Sequence, residues 1–579
     1  MDMAQSDKSP TKDEHQASEA PANLQIAPIQ AKAEESARGI PDSVMEATAA
    51  QTQYHATSPT QFWITILSLC LLGFISALDV TILPPALPTI TASIGGSSQY
   101  IWIANSFVLA QSVLQPLIGQ LANILGRKIP VVASIVLFIV GSGIAGGARN
   151  VAMLIAGRAV QGVGGGGIYV LIDIVTCDLV APRHRGKFLG IVQSCAGVAA
   201  ALGPVLGGLL AARAWRWIFY LNIPVCALPL FTIAFSRTRK ADASSTFRNL
   251  DYVGNLVFTP SIAAILYGLI SGGSEHPWSS WRVILPLALG TAGWVFFHLH
   301  QRYFARNPSI PSRLFLTRTS ATGFALTFLS AIIGQTAGIF LPVYFQSVAG
   351  TTVLISGVLF IPVTVGILFA AATAGVLLSK HGQYRPLHFA GFAFCILGYG
   401  LFQLFSRSTH KALVVVAELV AAVGFGIPIS TVLPAILAAL PESDVASANA
   451  AFSFIRTFGY TWGVTIASII FNAAFDARLD RIGDAGLRDR LRNGGAYALA
   501  SQARGLGETI DPETWGQVVS VYVASLRAVW WFGLGASALA LLLVGLEREL
   551  ELSTELNAEY AFDGGNTEVS DSNRGGSEK

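Results

Sequence analysis

The run FWITILSLCLLGFISALDVTIL, Phe62 to Leu83, is 22 residues long and carries a single charge, Asp79. A crossing of the bilayer's hydrocarbon core takes about 20 predominantly apolar residues, and this run meets that length. Read as a membrane helix, it turns everything before it into a tail. It also puts a carboxylate in lipid, a costly placement that marks a functional site by default. The whole chain agrees. Of its 579 residues 52% are hydrophobic and only 12% charged, with a mean hydropathy of +0.55. Soluble domains carry about 25% charge. A soluble enzyme, a disordered protein and a nucleic-acid binder are excluded on these grounds.

The charges sort by position. Residues 1–60 hold 4 Lys/Arg and 9 Asp/Glu, residues 547–579 hold 3 and 9, and the stretch between them holds 30 and 16. A greasy, basic middle between acidic ends fits a polytopic membrane protein whose short cytoplasmic loops retain Lys and Arg. The length rule predicts an all-α protein with fourteen transmembrane helices, at 62–83, 101–120, 129–148, 152–175, 187–211, 217–236, 252–272, 283–300, 320–345, 353–379, 386–406, 411–440, 446–472 and 518–546. The expected organisation is a disordered cytoplasmic tail over 1–60, a six-helix bundle over 61–236 and a two-helix insert with cytoplasmic linkers over 237–319. A second six-helix bundle follows over 320–546, including a long extracellular loop at 473–515, and an acidic cytoplasmic tail closes the chain over 547–579. With the N-terminus inside, the cytoplasmic loops carry fifteen Lys/Arg and the short outer loops six. Both termini are therefore expected in the cytoplasm.

A faint repeat supports the two halves. Gly119-x3-Asn123-x2-Gly126 lies between the second and third spans, and Gly375-x3-Ser379-x2-Gly382 between the tenth and eleventh. Two six-helix halves separated by two inserted helices produce that offset of eight, and parallel repeats of this kind organise a major transporter class.

Three acids fall well inside predicted spans: Asp79, Asp173 and Glu418. Their basic counterparts are Arg158 and Arg456. At 1.5 Å per residue, Asp79, Arg158 and Glu418 lie roughly 6, 9 and 10 Å below the outer ends of their spans. They could form a protonation site. The alternatives are a helix-end cap or a fixed ion pair with Arg158 for Asp79, and substrate contact or simple pairing for Glu418. Asp173, near an inner end, is expected to anchor the basic inner loops. Gly162-x-Gly164-x-x-Gly167 matches a dinucleotide fingerprint in form only, because it continues an apolar helix with no βαβ unit around it. Close helix approach is the expected role. His184, His298 and His388 read as interfacial residues and the five cysteines as packing residues. Trp215, Trp217 and Tyr220 read as an aromatic belt. No metal-ligand or nucleophile–base spacing stands out.

Several stretches, in order, resemble motifs of the major facilitator superfamily, and within it of the fourteen-helix drug:proton antiporters. Gly119-Gln-Leu-Ala-Asn123-Ile-Leu-Gly126-Arg127-Lys128 resembles motif A. Arg158-x-x-Gln161-Gly162-x-Gly164 resembles motif B. The stretch from Gly197 through Gly203-Pro204 to Gly207-Gly208 resembles motif C, which marks antiporters. Leu78-Asp79-x-Thr81-Ile82, Pro342-x-Tyr344-Phe345-Gln346 and Phe454-Ile455-Arg456 are similar to further stretches of that family. The resemblance implies that Arg127 and Lys128 gate the inner side, that Arg158 assists proton transfer and that Gly203 and Pro204 shape a hinge. Motif A normally has Asp where this chain has Asn123, so the inner gate would be weaker or would rely on Asp173 or Asp178. The acidic tails and polar insert look like fungal members, many of which export toxins or antifungal drugs.

The expected function is export of hydrophobic small molecules (drugs, toxins or secondary metabolites) in exchange for protons, by alternating access between the two bundles. No enzyme activity and no cofactor are expected, the proton gradient being the drive. Substrate would bind near the midplane, with Tyr344, Phe345, Gln346 and Arg456 as candidate lining. The expected partners are the bilayer, the substrate and protons, with no nucleic acid and a monomeric protein. The plasma membrane is the expected location, the vacuolar membrane the alternative. Proton-coupled uptake of an iron chelate or nutrient is the rival within transport, which motif C argues against. A non-transporting receptor is the rival from another class.

Overall fold

Helices form wherever the apolar runs stand, and short polar caps start several of them. The computed structural model describes residues 59–94, 100–235, 250–273, 276–492, 494–500 and 503–552. The expected N-terminal tail, except Pro59 and Thr60, lies outside the described residues, as do residues 553–579 of the expected C-terminal tail and residues 237–249 of the linker. Fifteen of the helices are α1 Pro59–Ile94, α2 Tyr100–Val113, α3 Gln115–Leu125, α4 Lys128–Gly146, α5 Val151–Leu179, α6 Pro182–Ala214, α7 Asn222–Phe235, α8 Tyr252–Ser271, α9 Trp281–Tyr303, α10 Arg318–Ser347, α11 Ile361–His381, α12 Arg385–Phe402, α13 Lys411–Ala438, α14 Val445–Asp476 and α15 Pro512–Val544. Asn150 caps α5 by accepting from Met153 N at 2.8 Å, and Asp251 caps α8 by accepting from Gly254 N at 2.8 Å. Each cap satisfies an N–H that the first helical turn leaves without a partner. Prolines stand inside several helices, Pro342 in α10 and Pro428 and Pro434 in α13 among them, where neighbouring helices can re-satisfy the freed backbone groups.

Twelve helices among the described residues are long and apolar enough to cross a membrane, or thirteen if a bent pair, Asn105–Val113 with Gln115–Leu125, is one span. Fourteen were expected. The break falls at Leu114, where the chain turns by 44° inside the expected second span. The expected eleventh span coincides with α12, only 18 residues long and starting with Arg385 and His388; it is not among the twelve. Helix α1 continues past Leu83 to Ile94, while the stretch of it long and apolar enough to cross a membrane, Pro59–Leu83, ends where the expected first span ends.

Two apolar cores divide the chain. One is built from α1–α7 and takes in Ala446 and Ala450 from α14. The other is built mainly from residues beyond 250 and takes in Cys177 and Leu189. Helices α8 and α9 pack together outside α2 and α14. Asn255 ties them down by donating to Gln120 Oε1 and Ser309 Oγ, both at 2.9 Å, and Phe258 meets Phe454 at 5.0 Å. The exposed face of α9 carries Ile284, Leu285, Leu289, Val295 and Phe296, the surface a lipid-facing helix needs.

Glycine decides how closely the first bundle packs. A Cβ on Gly162 would stand 2.4 Å from Phe107 O on α2, and one on Gly164 would stand 2.4 Å from Phe138 N on α4. Gly166 and Gly167 repeat the alternation against Gln111 O at 2.3 Å and Ser134 Oγ at 2.0 Å. The glycine run of α5 is thus a seam between two backbones, as small residues provide in membranes. The expected loop at 473–515 is packed rather than loose. Leu479, Ile482, Leu487 and Leu491 are buried, and Tyr522 donates to Ala496 O at 2.6 Å.

Candidate functional site

Four helices bring a polar cluster into the interior of the first bundle. Asp79 of α1 accepts three side-chain hydrogen bonds. Arg158 Nη1 of α5 donates to its Oδ2 at 2.5 Å, and Gln161 Nε2 and Asn222 Nδ2 donate to its Oδ1 at 2.7 and 2.9 Å. Arg158 also donates to Gln161 Oε1 at 2.9 Å; the two are three residues apart and so share one face of α5. Ser142 Oγ on α4 accepts from Gln161 at 2.9 Å and from Asn222 at 3.2 Å. All five side chains are buried. The guanidinium lies 4.4 Å from the Phe107 ring, and its Nε has no hydrogen-bond partner among the described residues. Such an arrangement holds a carboxylate by charge and by three donors. A proton on Asp79 would cancel the ion pair and leave Arg158 with Gln161 alone. Asn222 and Ser142 were not singled out by the sequence. The signal for Asn222 was there, an amide inside an apolar run, since a buried amide needs a partner.

Two residues after Asp79 the chain meets motif C. A Cβ on Gly203 would lie 2.0 Å from Thr81 Oγ1, and one on Gly207 would lie 2.1 Å from Ile82 O. These glycines seat α6 directly against α1. Pro204 continues α6, and Gly208 has open space beside it. Glu418 stands apart in α13. It is fully buried, and neither carboxylate oxygen has a hydrogen-bond partner among the described residues.

Call the face of the protein at which α1 begins the near face, and the opposite one the far face. Helices joined by short loops run antiparallel, so the α3–α4 turn and the starts of α6 and α14 share the near face. There Arg127 Nε donates to Asp178 Oδ2 at 2.7 Å, and Nη1 donates to Ala122 O at 2.7 Å and to Asn123 Oδ1 at 3.2 Å. Asn123 Nδ2 then donates to Ser447 Oγ at 3.2 Å across the bundle boundary. Lys128 opens α4. Of the two acids suggested as substitutes for the missing motif A charge, Asp178 takes Arg127, whereas Asp173 takes Arg456 of α14 at 3.1 Å.

The faint repeat is structural. Gly126 and Gly382 both have positive φ, 76° and 72°, a conformation that favours glycine. A Cβ on Gly119 would lie 2.2 Å from Ala450 Cβ, and one on Gly375 would lie 2.5 Å from Gly186 O. Asn123 meets Ser447 near the start of α14, and Ser379 meets His184 at the start of α6. Each copy thus reaches across to the other bundle. Further ties across the boundary are Arg183 to Ser379 O at 2.9 Å and Lys380 O at 2.7 Å, and Arg185 to Glu442 at 3.2 Å. Deeper ones are Asp173 to Arg456 and Gln115 to Thr457 at 3.2 Å. Among the described residues, every side-chain hydrogen bond between α1–α7 and α10–α15 belongs to this near-face half.

The remaining candidates are placed elsewhere. Tyr344 and Phe345 are buried near the far end of α10, with Tyr344 Oη donating to Ser406 O at 3.1 Å and its ring 4.8 Å from Phe405. Gln346 donates to Ser356 Oγ at 3.2 Å. Trp215 is buried and Trp217 exposed, so only part of the expected belt faces outward. His388 is not interfacial. It is fully buried, with Nδ1 2.8 Å from Glu547 Oε2, a partner that no local reading of the sequence could supply. The five cysteines are free.

Residues 69–464 match the family described as Major Facilitator Superfamily. The MFS efflux transporter aclA of Aspergillus oryzae is 41% identical over 532 residues, 90% of this chain and 96% of that one. The MFS-type transporter gkaD of Penicillium citrinum is 42% identical over 508 residues, 87% of each chain. The MFS-type efflux pump LUC4 of a Fusarium species is 38% identical over 509 residues, 87% of this chain and 90% of that one. Among solved structures, the human organic anion transporter MFSD10 has a TM-score of 0.53 at 14% identity, covering 84% of this chain and 100% of its own. The proton:xylose symporter XylE has 0.51 at 14%, covering 78% and 96%. These two likenesses speak for the fold alone.

Proposed function

The chain belongs to the major facilitator superfamily, and we propose that within it the protein is a secondary active efflux transporter that exports hydrophobic small molecules in exchange for protons. The names of its fungal relatives support efflux. The observation that carries proton exchange is the Asp79 cluster: a fully buried carboxylate held by Arg158, Gln161 and Asn222. In this reading the near face is cytoplasmic, the membrane is the plasma membrane and the protein works as a monomer with fourteen crossings. The near-face ties then describe the outward-facing end of an alternating-access cycle.

A proton arriving from outside neutralises Asp79 and frees Arg158. The change is felt in α1 two residues on, where Thr81 and Ile82 bear on Gly203 and Gly207. Helix α6 carries it to the bundle boundary, where Gly186 and Gly190 touch α11 and α13. The near-face ties then open, substrate enters from the cytoplasm, and return of the proton to the cytoplasm resets the pair. Glu418, buried in the second bundle with no donor among the described residues, is the companion protonation site. The mechanism calls on no metal or cofactor.

The direction is tested in proteoliposomes with an imposed pH gradient and a fluorescent lipophilic dye. Dye movement opposite to the proton flux, abolished when the gradient is collapsed, supports antiport. Movement with the protons would replace efflux by uptake.

A further inference from the structure

We propose that Arg456 binds the anionic group of an acidic substrate, and that Asp173 is the built-in competitor that expels it when the near face closes. The inference rests on the efflux reading and names its substrate class: apolar molecules bearing one carboxylate or similarly acidic group.

The observations concern how poorly Arg456 is satisfied. Its guanidinium has five N–H donors in a planar fork that suits bidentate binding of an anion. Among the described residues it makes one hydrogen bond, Nη2 to Asp173 Oδ2 at 3.1 Å, and its buried Nε has no partner there. The residue is 7% exposed. A buried cation with one bond out of five is an under-filled site. Its walls are aromatic, with Tyr169 on α5 at 4.4 Å and Phe452 at 4.9 Å from the guanidinium carbon. Tyr460 stands one turn further along α14, and both tyrosines are partly exposed. Arg456 lies eleven residues into α14, about 16 Å from the near face, and so towards the middle of the membrane.

The pair also spans the boundary that must open. Asp173 belongs to α5 and Arg456 to α14, so parting the bundles at the near face removes the only hydrogen-bond acceptor that this buried cation has among the described residues. A buried charge without a partner is costly, and an anion entering from the near face relieves that cost. When the bundles close again, Asp173 returns to the same guanidinium. Both cannot make the full set of contacts, so closure weakens the hold on the substrate as the far side opens. A neutral molecule of the same shape gains nothing from this exchange.

The test uses purified full-length protein and two fluorescent probes of one skeleton, 9-anthracenecarboxylate and 9-anthracenecarboxamide, with affinities read by fluorescence titration. Wild type is expected to bind the carboxylate about tenfold tighter than the amide, the worth of a hydrogen bond to a charged group. Asp173→Asn should tighten the carboxylate further and leave the amide unchanged. Arg456→Gln should erase the preference. The double variant Asp173→Asn/Arg456→Gln leaves no lone buried charge, and it should fold and show no preference. Equal or absent responses to the two probes in wild type, or a preference that survives in the double variant, overturns the inference. If Asp79-dependent export of a cationic dye persists in that case, this inference alone has failed. If that export is missing too, the transport reading beneath it has failed as well.

Discussion

Arg127 Nε donates to Asp178 Oδ2 at 2.7 Å while the same guanidinium reaches Asn123 Oδ1 at 3.2 Å. The charge that Asn123 lacks is therefore supplied from the end of the neighbouring helix, and Asn123 keeps its own amide for Ser447. One residue does the electrostatics and another the bundle-to-bundle tie. Asp178→Asn removes the carboxylate that Arg127 Nε holds at 2.7 Å, and gradient-driven dye export should fall severely. Adding Asn123→Asp returns a carboxylate four residues from Arg127 and should restore much of the activity. Export in the double variant as low as in the single one would show that the charge on Asp178 is not the substitute.

The glycine seams make a sharper test of the fold. Gly164→Ala puts a Cβ 2.4 Å from the backbone nitrogen of Phe138, whereas Gly208→Ala meets nothing within 4 Å. Overpacking of this kind costs about 1–3 kcal/mol or more. The first variant should lose thermal stability or fail to accumulate as folded protein, and the second should match wild type. Comparable melting temperatures for the two would contradict the packing described.

At the near face the chain beyond α15 folds back onto the second bundle. Glu547 meets His388 at 2.8 Å, Glu549 accepts from Tyr384 N at 2.9 Å, and the Tyr384 hydroxyl donates to Arg548 O. Leu552 is buried beside Leu378, Tyr384 and Ala435. Glu547→Ala leaves His388 buried without this partner and should cost about 1–3 kcal/mol, read as a lower melting temperature.

The same clasp gives a pH dependence. Burial pushes the Tyr384 phenol up to about 12, from an ordinary value near 10. The folded protein holds this proton more tightly than the unfolded chain does. Its contribution is therefore complete below about pH 10 and lost between about pH 10 and 12. Tyr384→Phe should begin less stable and lose less across that window. An unchanged alkaline slope would remove Tyr384 from the account.

Most of the spans could be read from the sequence because hydropathy is local, and the Gly119 and Gly375 motifs showed there as a repeat. Asp79, Arg158 and Gln161 were legible as an intramembrane acid, a base and a motif neighbour. Asn222 showed only as an amide in an apolar run, and its partner Asp79, 143 residues away, is evident only once α7 is packed against α1. The burial of His388 was hidden for the same reason, its partner being 159 residues away. The end of the first span at Leu83 was legible because the apolar run stops there, whereas the break at Leu114 inside the expected second span was not.

The central claim is that Asp79 carries the coupled proton. It is tested most directly by comparing wild type with Asp79→Asn in proteoliposomes loaded with a fluorescent lipophilic dye, once under a pH gradient and once as gradient-free dye exchange. The account predicts that Asp79→Asn, which can still hydrogen-bond within the cluster, exchanges dye without a gradient but does not concentrate it when one is imposed. Gradient-driven concentration by Asp79→Asn equal to that of wild type would contradict it.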